Sequence, residues 1–348
     1  MGKARITPKE NFLRLRHGGF PEYVPFYSIM GDPYKGECAV AGAFAPLFVS
    51  NQFMNGGRDA WGVPYAAPDN LANASMPDTS VITLPDIYDW PKVLKFPTPT
   101  GIDLDQAYQD TLKRVDRTQS CLKVGPDLGP FQQLAALMGF EGALMALSED
   151  PEEVSAMLHA MVDFLEPYYR KLYDAFQPDC WAITDDSCAK MMPFFSPATY
   201  KEVFLPIYKR LAAPALEHGI PVIFHNCGKE ELFLDFMVEF GVEMTEPAQE
   251  VNDILMLKEK YKGKLSFMGC WGWGDHIPKG FPDFDEEEFR ADIRASIDKY
   301  SPGGGYAFAG WPIGQKGEEE GARRAYQIMR DEVYYYGKKV YGYPIDED

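Results

Sequence analysis

Short apolar segments alternate with longer amphipathic segments along most of this 348-residue chain. The apolar segments have the length of strands and cover residues 24–29, 121–124, 180–184, 221–225, 242–245, 264–268 and 306–309. The amphipathic segments predict helices over residues 130–145, 150–176, 197–218, 229–240, 252–261, 285–300 and 316–336. Strands that alternate with helices of this length indicate βαβ units and therefore a parallel sheet.

The number of strands favours one architecture over another. Seven strands are visible, and an eighth is expected within residues 80–84. This count favours a closed (β/α)8 TIM-like barrel over a doubly wound sheet. Residues 52–116 are rich in Pro, Gly, Asn and Asp, and we interpret them as an N-terminal insertion or lid. The sequence therefore predicts one barrel domain over residues 1–348 with an irregular covering segment.

Charge and hydropathy narrow the classes of partner. The chain has 34 Lys and Arg against 52 Asp and Glu, a net charge of −18. Such acidity disfavours nucleic acids and anionic membranes, although it is also typical of a surface that only confers solubility. No apolar run has the length of a membrane span, and the N-terminal residues lack a signal-type apolar core. We therefore expect a cytoplasmic protein with a small-molecule substrate, and six scattered cysteines argue against a disulfide framework.

The residues that follow the predicted strands carry the chemistry, because catalytic groups of a parallel barrel lie at the carboxyl ends of its strands. These residues are Asp185 and Asp186, His225 and Cys227, Glu246, and Cys270. His225 and Cys227 are two positions apart, so an extended backbone places both on one face. Imidazole and thiolate are ligands that Zn²⁺ prefers, and Cys270 would complete a catalytic set of three. The alternative is that this pair is packed or hydrogen-bonded without a metal.

The other candidate residues have two interpretations each. Asp185 and Asp186 would bind a substrate hydroxyl or act as acid and base, or would only stabilise a turn. Five aromatic residues near strand ends would form a flat pocket wall, or would only pack in loops: Trp271, Trp273, Trp311, Tyr306 and Phe194. Glycines 303–305 would cradle an anion or form a tight turn. No GxSxG or strand-linked GxGxxG element is present, which disfavours a hydrolase elbow and a dinucleotide site.

Several ordered blocks resemble the uroporphyrinogen decarboxylase superfamily. They are TPKENFLRLRHGGFPEYVPFY, RDAWGVPY, LSEDPEEVSAMLHAMVDF, ITDDSCAKMMPFFSPATYKEVFLPIYKRL and GIPVIFHNCGKEELFLDFMVEFGVEM. The resemblance implies a (β/α)8 barrel, in agreement with the strand count, and it implies that a homodimer can form. Its two main chemistries are metal-free decarboxylation of a tetrapyrrole and zinc-dependent methyl transfer with cobalamin.

Individual sequence motifs distinguish the two branches of this superfamily, and they favour the methyltransferase branch. The chain has RHGGFPEY where decarboxylases carry a basic loop, and it lacks their F-S-D-I element. His225 and Cys227 match the H-x-C zinc pair of the methyltransferases. The later cysteine of the coenzyme M branch is absent from YAFAGWPIGQKG, so the use of Cys270 is our own inference. This departure counts against a coenzyme M methyltransferase and leaves open an enzyme on the side of the methyl donor, such as an aryl methyl ether O-demethylase component.

The resulting hypothesis is a corrinoid-dependent methyltransferase. Zn²⁺ on His225, Cys227 and Cys270 would activate the methyl donor, and the methyl group would pass to the Co(I) corrinoid of a partner protein. Glu246 or Asp186 would complete the coordination or handle a proton. The alternatives are a metal-free decarboxylase, with Asp185 or Asp186 orienting pyrrole N–H groups, and a non-catalytic protein that binds a corrinoid or tetrapyrrole. The sequence does not identify the donor or the direction of transfer.

Overall fold

The computed structural model describes residues 6–28, 39–43, 56–66, 75–96, 102–271, 278–310, 312 and 315–343. In chain order the strands are β1 (Val40–Gly42), β2 (Gly57–Arg58), β3 (Pro64–Ala66), β4 (Met76–Pro77), β5 (Cys121–Val124), β6 (Cys180–Thr184), β7 (Val222–His225), β8 (Val242–Ala248), β9 (Ser266–Cys270) and β10 (Tyr306–Ala309). The helices are α1 (Pro8–Leu13), α2 (Trp90–Val93), α3 (Leu104–Leu112), α4 (Pro130–Met138), α5 (Phe140–Glu149), α6 (Pro151–Phe176), α7 (Pro197–Thr199), α8 (Leu205–His218), α9 (Leu234–Glu239), α10 (Ile254–Lys260), α11 (Glu286–Tyr300) and α12 (Glu319–Lys339).

Seven of the strands form one parallel sheet in the order β1-β5-β6-β7-β8-β9-β10. The segment around Phe26 joins the two edges of this sheet. Phe26 pairs in parallel with Phe308 of β10, and the N–H of Tyr27 donates to the Phe308 carbonyl at 2.8 Å. On the other side, the N–H of Ala39 donates to the Phe26 carbonyl at 3.3 Å. The TIM-like barrel predicted from the sequence is therefore confirmed.

The eighth segment of the barrel differs from the prediction. Residues 80–84 form no strand, and Leu84 instead donates its N–H to the Leu137 carbonyl at 2.8 Å, beside the end of α4. The place of the eighth strand is taken by β1, which comes from the small-residue run AVAGA. Alanine and glycine give little of the β-branched or aromatic signal that identifies strands in a sequence.

The barrel has two apolar layers, as the alternation of side chains along each strand requires. Inward-facing side chains from the lower halves of the strands form the floor, which Phe12 of α1 and Leu15, two residues after α1, close from below. That floor includes Cys121, Cys180, Ile223, Met244 and Met268. Outward-facing side chains pack against the helices in a second, larger cluster. The upper half of the barrel interior is left for polar groups, and the candidate site lies there.

The covering segment contains regular structure of its own. β2, β3 and β4 form a small antiparallel sheet within it. The covering segment contacts the helix that was predicted over residues 130–145, since the Nε2 of Gln133 donates to the Oδ2 of Asp59 at 3.0 Å. The structure divides this helix into α4 and α5. The division falls at Gly139, whose φ is +73° and whose missing Cβ would lie 2.9 Å from the Ile82 side chain. The positive φ is the feature that requires glycine at this position.

No helix in the described part of the chain is both long enough and apolar enough to cross a bilayer. Five cysteines lie in that part, and all five are free thiols: Cys121, Cys180, Cys188, Cys227 and Cys270. Cys38 lies outside the described residues.

Candidate active site

The carboxyl ends of β6, β7 and β8 lie side by side. Thr184 of β6 is in register with His225 of β7, and His225 is in register with Glu246 of β8. Asp186 follows two residues after Thr184, and Cys227 follows two residues after His225. The parallel register therefore brings Asp186, His225, Cys227 and Glu246 to one edge of the barrel mouth, as expected for residues at the ends of neighbouring parallel strands.

Three of these residues converge. The Sγ of Cys227 lies 3.6 Å from the Nε2 of His225, and the Oδ1 of Asp186 lies 3.6 Å from the same nitrogen. One ligand atom from each of the three side chains lies within 4.8 Å of the other two. The backbone N–H of Cys227 also donates to Asp186 Oδ1 at 2.8 Å, which ties the end of β6 to the loop after β7. Their three side chains are half-buried, so a small molecule can reach them.

The loop after Cys227 depends on a glycine. Gly228 has a φ of +96°, and a Cβ at this position would lie 2.6 Å from the carbonyl oxygen of Ala189. Its N–H donates to the Oε1 of Gln249 at 2.5 Å, and its carbonyl accepts from the side chain of Asn252 at 2.9 Å. No other residue type combines this backbone conformation with this close approach. The glycine of the HNCG sequence therefore fixes the path of the chain immediately after Cys227.

Glu246 lies beneath this group of three. Its carboxylate is 2% exposed, and its Oε1 lies 3.9 Å from the Nδ1 of His225 and 3.7 Å from the Nζ of Lys123. Lys123 also donates to the hydroxyl of Tyr27 at 2.9 Å. The Oε2 of Glu246 is buried with no hydrogen-bond partner. A carboxylate on the far side of a histidine ring is the usual partner of a metal-bound imidazole.

The structure does not bring Cys270 to this group. Its thiol belongs to the outer apolar cluster, and the three-residue group is formed without it. The φ angles of Gly269 and Cys270 are +145° and +65°, so the inward–outward alternation of β9 breaks at these residues. Met268 still faces the barrel floor, but Cys270 turns toward the helices. Burial raises the pKa of this thiol well above its usual range, which opposes the thiolate that zinc requires.

Asp185 supports the site from behind and does not enter it. Its carboxylate is fully buried and accepts hydrogen bonds from the N–H groups of Phe131 and Gln132 at 2.8 and 2.9 Å. The hydroxyl of Tyr208 donates to it at 2.7 Å. Asp185 thus satisfies N–H groups in the first turn of α4, which agrees with the structural interpretation of this residue, while its role as an acid or base stays a prediction. Burial raises its pKa to about 7 despite these hydrogen bonds.

A second buried carboxyl, which the sequence did not single out, lies behind β8. This carboxyl belongs to Glu230. The hydroxyl of Thr245 donates to the Oε1 of Glu230 at 2.9 Å, while the Oε2 of Glu230 is buried with no hydrogen-bond partner. Burial is the main cause that raises the pKa of Glu230 to about 8. The folded protein therefore retains a proton on Glu230 at neutral pH.

We expect Glu230→Gln to remove part of the pH dependence of stability. The pKa of this carboxyl rises from 4.5 to about 8 on folding, so the unfolded chain releases the proton first and stability falls as pH rises through this window. Glutamine can still accept the Thr245 hydrogen bond but does not titrate. Relative to the native protein, the variant should gain a few degrees in thermal midpoint near pH 8 and almost nothing near pH 5. An equal difference at both pH values would contradict the assignment.

Five aromatic residues were predicted to line a pocket, and the structure describes three of them: two lie in the outer apolar cluster and one lines a cavity. Trp271 is buried against Phe289 and Phe308, with its Nε1 donating to Asp292 of α11 at 2.5 Å. Tyr306 is buried in the outer cluster beside Tyr300, so neither reaches the mouth of the barrel. Trp273 and Trp311 lie outside the described residues. Phe194 does line a cavity, and that cavity adjoins Asp186.

This cavity has a volume of about 660 Å³ and lies between the covering segment and the ends of β5 and β6. Phe131, Phe140 and Phe194 line one side, and Met76 and Ile82 of the covering segment lie on the other. Asp186 and Thr184 form its boundary toward the three-residue group. Gln132 connects the two regions, because its Nε2 donates to the Oδ2 of Asp186 at 3.2 Å.

The sequence after β5 also carries a signal for this cavity. Strand β5 is followed by GPDLGPFQQ, which delivers Asp127, Phe131 and Gln132 to the same edge as the other strand ends. The segment from the covering region had no such signal.

The glycines at 303–305 form a tight turn, since Gly304 would place a Cβ 2.9 Å from the Gly19 carbonyl and Gly305 donates to that carbonyl at 2.7 Å.

The three-residue group fits a zinc ion by its donor set and its spacing. With Zn–N of about 2.0–2.1 Å and Zn–S of about 2.3 Å, tetrahedral geometry separates the two ligand atoms by about 3.6 Å. The observed distance between His225 Nε2 and Cys227 Sγ is 3.6 Å. Imidazole, thiolate and carboxylate are all zinc ligands, and three protein ligands leave one position for a substrate.

Comparisons with known proteins agree with the barrel. The sequence model of the family described as "Uroporphyrinogen decarboxylase (URO-D)" matches residues 107–308, which is more than half of the chain. A solved methyltransferase from Methanosarcina mazei superimposes with a TM-score of 0.65 at 15% sequence identity, covering 95% of this chain and 100% of that chain. At this identity the likeness shows a shared fold.

A sugar phosphate isomerase/epimerase from Parabacteroides distasonis aligns with a TM-score of 0.35 at 16% identity. It covers 67% of this chain and 76% of that chain. A search of curated protein sequences gave no match.

Proposed function

Because this chain belongs to the uroporphyrinogen decarboxylase (URO-D) family, we propose that it is a zinc-dependent methyltransferase of that family. In this proposal it takes the methyl group of a small aryl methyl ether and delivers it to the Co(I) corrinoid of a partner protein. The observation that supports this most is the convergence of Asp186, His225 and Cys227, with spacing that suits one zinc ion. The methyltransferase that shares the fold is consistent with the proposal.

Asp186, His225 and Cys227 would hold the metal, and Asp186 would take the place that the sequence analysis gave to Cys270. When bound, zinc would supply Lewis acidity at the ether oxygen, so that the departing oxygen carries less negative charge. The neighbouring carboxylate of Glu246 would orient the imidazole of His225 so that Nε2 faces the metal. Lys123 would balance the charge of Glu246 within the barrel.

The reaction would be a displacement at the methyl carbon. The C–O bond of the ether breaks, its electron pair remains on the oxygen, and the donor leaves as a phenolate. The reduced corrinoid of the partner protein would supply the electron pair that the methyl carbon accepts. The protein would contribute by holding the ring in the cavity beside Asp186, with the methyl group toward the open mouth of the barrel.

Decarboxylation of a tetrapyrrole fits the cavity less well. A uroporphyrinogen carries several carboxylates and needs cationic partners. Among the described residues that line the cavity there is no Lys, Arg or His, whereas Asp78, Asp127 and Asp186 are present. An acidic cavity opposes binding of a polyanion, and this observation favours methyl transfer over the decarboxylase alternative.

The proposal is tested by the metal content and activity of Cys227→Ala. We expect the purified native protein to bind about one zinc per chain and the variant to lose both the zinc and methyl transfer, because a catalytic site with three protein ligands tolerates no missing thiolate. Elemental analysis measures the first and corrinoid methylation with a methoxylated donor measures the second. Cys180→Ala is the matched control, because this thiol lies in the barrel floor at the opposite end of β6.

The control should retain its zinc. A Cys227→Ala protein with full zinc and full activity would overturn the proposal. A native protein that takes up no zinc from a zinc-containing buffer would do the same.

A further inference from the structure

We infer that the cavity beside Asp186 selects an aromatic donor whose ring carries no carboxylate. The inference rests on the proposed function, since it names the class of donor that the same site would take. It depends on three observations: a cage of aromatic rings, exposed apolar side chains that line this cavity, and a lining with one sign of charge.

The aromatic cage consists of Phe131, Phe140 and Phe194. The rings of Phe131 and Phe194 are stacked with centroids 5.6 Å apart, and Phe140 meets Phe194 edge to face at 4.9 Å. Aromatic pairs prefer these two arrangements, and a planar ligand ring can extend the set by offset stacking or by edge contact. The cavity volume of about 660 Å³ lies within the range of small-molecule sites.

Large apolar side chains around the cavity are unusually exposed. Phe140, Met76, Val81 and Ile82 each show between 41% and 55% of their surface, and all four line this cavity. An exposed apolar cluster that is concave and bordered by polar groups marks a ligand site more often than an isolated exposed side chain does. Since these residues come from both α5 and the covering segment, a ligand ring would fill the space between the two.

The charges of the lining decide which ring fits. Asp78, Asp127 and Asp186 are among the residues that line the cavity, and no cationic side chain is present among the described lining residues. A zinc ion on Asp186, His225 and Cys227 would not change this balance, because one carboxylate and one thiolate together neutralise its two positive charges. A carboxylate on the donor ring would therefore be desolvated beside like charges. A phenolic hydroxyl can instead donate to one of the acidic groups.

Guaiacol and vanillate are a matched pair of probes, because vanillate is guaiacol with a carboxylate on the ring. With the zinc-loaded full chain, titration calorimetry should show at least tenfold tighter binding of guaiacol at neutral pH. Thr79→Lys adds a cation at an exposed position of the lining, and Thr79→Gln is its uncharged control. The lysine variant should bind vanillate at least tenfold more tightly than the glutamine variant does. Phe194→Ala should weaken guaiacol binding by at least tenfold and leave the zinc content unchanged.

Equal affinities for the two probes, or tighter binding of vanillate, would overturn the inference. So would failure of both probes to bind to protein that contains its zinc. Each of these results can occur with the metal and methyl transfer intact, so they separate this inference from the proposed function. Loss of zinc binding by the native chain would instead count against the proposed function itself.

Discussion

Asp186→Ala should release the metal, and Cys270→Ala should leave it in place. Asp186 is a ligand candidate because its Oδ1 lies 3.6 Å from His225 Nε2, whereas the thiol of Cys270 is buried among the outer helices. Changes in groups that only support a metal ligand cost about 10- to 100-fold in affinity, so loss of a ligand should cost more than about 100-fold. Competition with a chromogenic zinc chelator measures both variants against the native protein.

Asp186→Asn is the control that separates coordination from loop structure. Asparagine can still accept the hydrogen bond from the Cys227 N–H, which the carboxylate accepts at 2.8 Å, but it lacks the negative charge. We expect it to keep the native thermal midpoint within a few degrees and still to bind zinc more weakly than the native protein. If Cys270→Ala loses its zinc and Asp186→Ala does not, the ligand set drawn from the sequence is the correct one.

Lys123→Met should cause the second large effect, a loss of folding stability. Glu246 is 2% exposed, and Lys123 is the cation closest to it in the barrel, with Nζ 3.7 Å from its Oε1. Removal of one partner of a buried ion pair leaves an uncompensated charge and costs roughly 3–5 kcal/mol of the free energy of unfolding. Methionine preserves most of the apolar length of the lysine side chain. Urea denaturation followed by circular dichroism measures the change.

The double variant Lys123→Met/Glu246→Gln tests the cause. It removes both charges, so most of the lost stability should return, as replacement of a whole buried pair is often close to neutral. A double variant that is as unstable as Lys123→Met, or less stable, would show that the lysine acts through packing or through its hydrogen bond to Tyr27 instead.

Local patterns of apolar and polar residues predicted much of the fold. Three strands begin and end where the sequence predicts, at residues 121–124, 180–184 and 306–309. The eighth strand was missed because β1 is only three residues long and lies within a run of alanine and glycine around Val40. The helix over residues 130–145 is divided at Gly139, where φ is positive. The first failure reflects a weak local signal, and the second reflects a turn that a single glycine within an apolar pattern does not reveal.

At the candidate site, too, the sequence predicts local placement but not the contacts between distant segments. The sequence could place His225 beside Cys227, because two positions along an extended strand share a face. It could not distinguish Asp185 from Asp186, because the two are adjacent and only the tertiary contact with the start of α4 assigns Asp185 to a buried supporting place. It could not locate the cavity either, since the covering segment and α5 meet there only in three dimensions.

The sequence by itself thus determined the barrel, the edge of the sheet where polar groups collect, and the pairing of His225 with Cys227. These features depend on the period of side chains along one strand or helix, which is local. The tertiary structure decided that Asp186 joins the pair and that Cys270 leaves it. That choice depends on the register between neighbouring strands and on the positive φ of Gly269 and Cys270, which turns one thiol from the barrel interior to the helices.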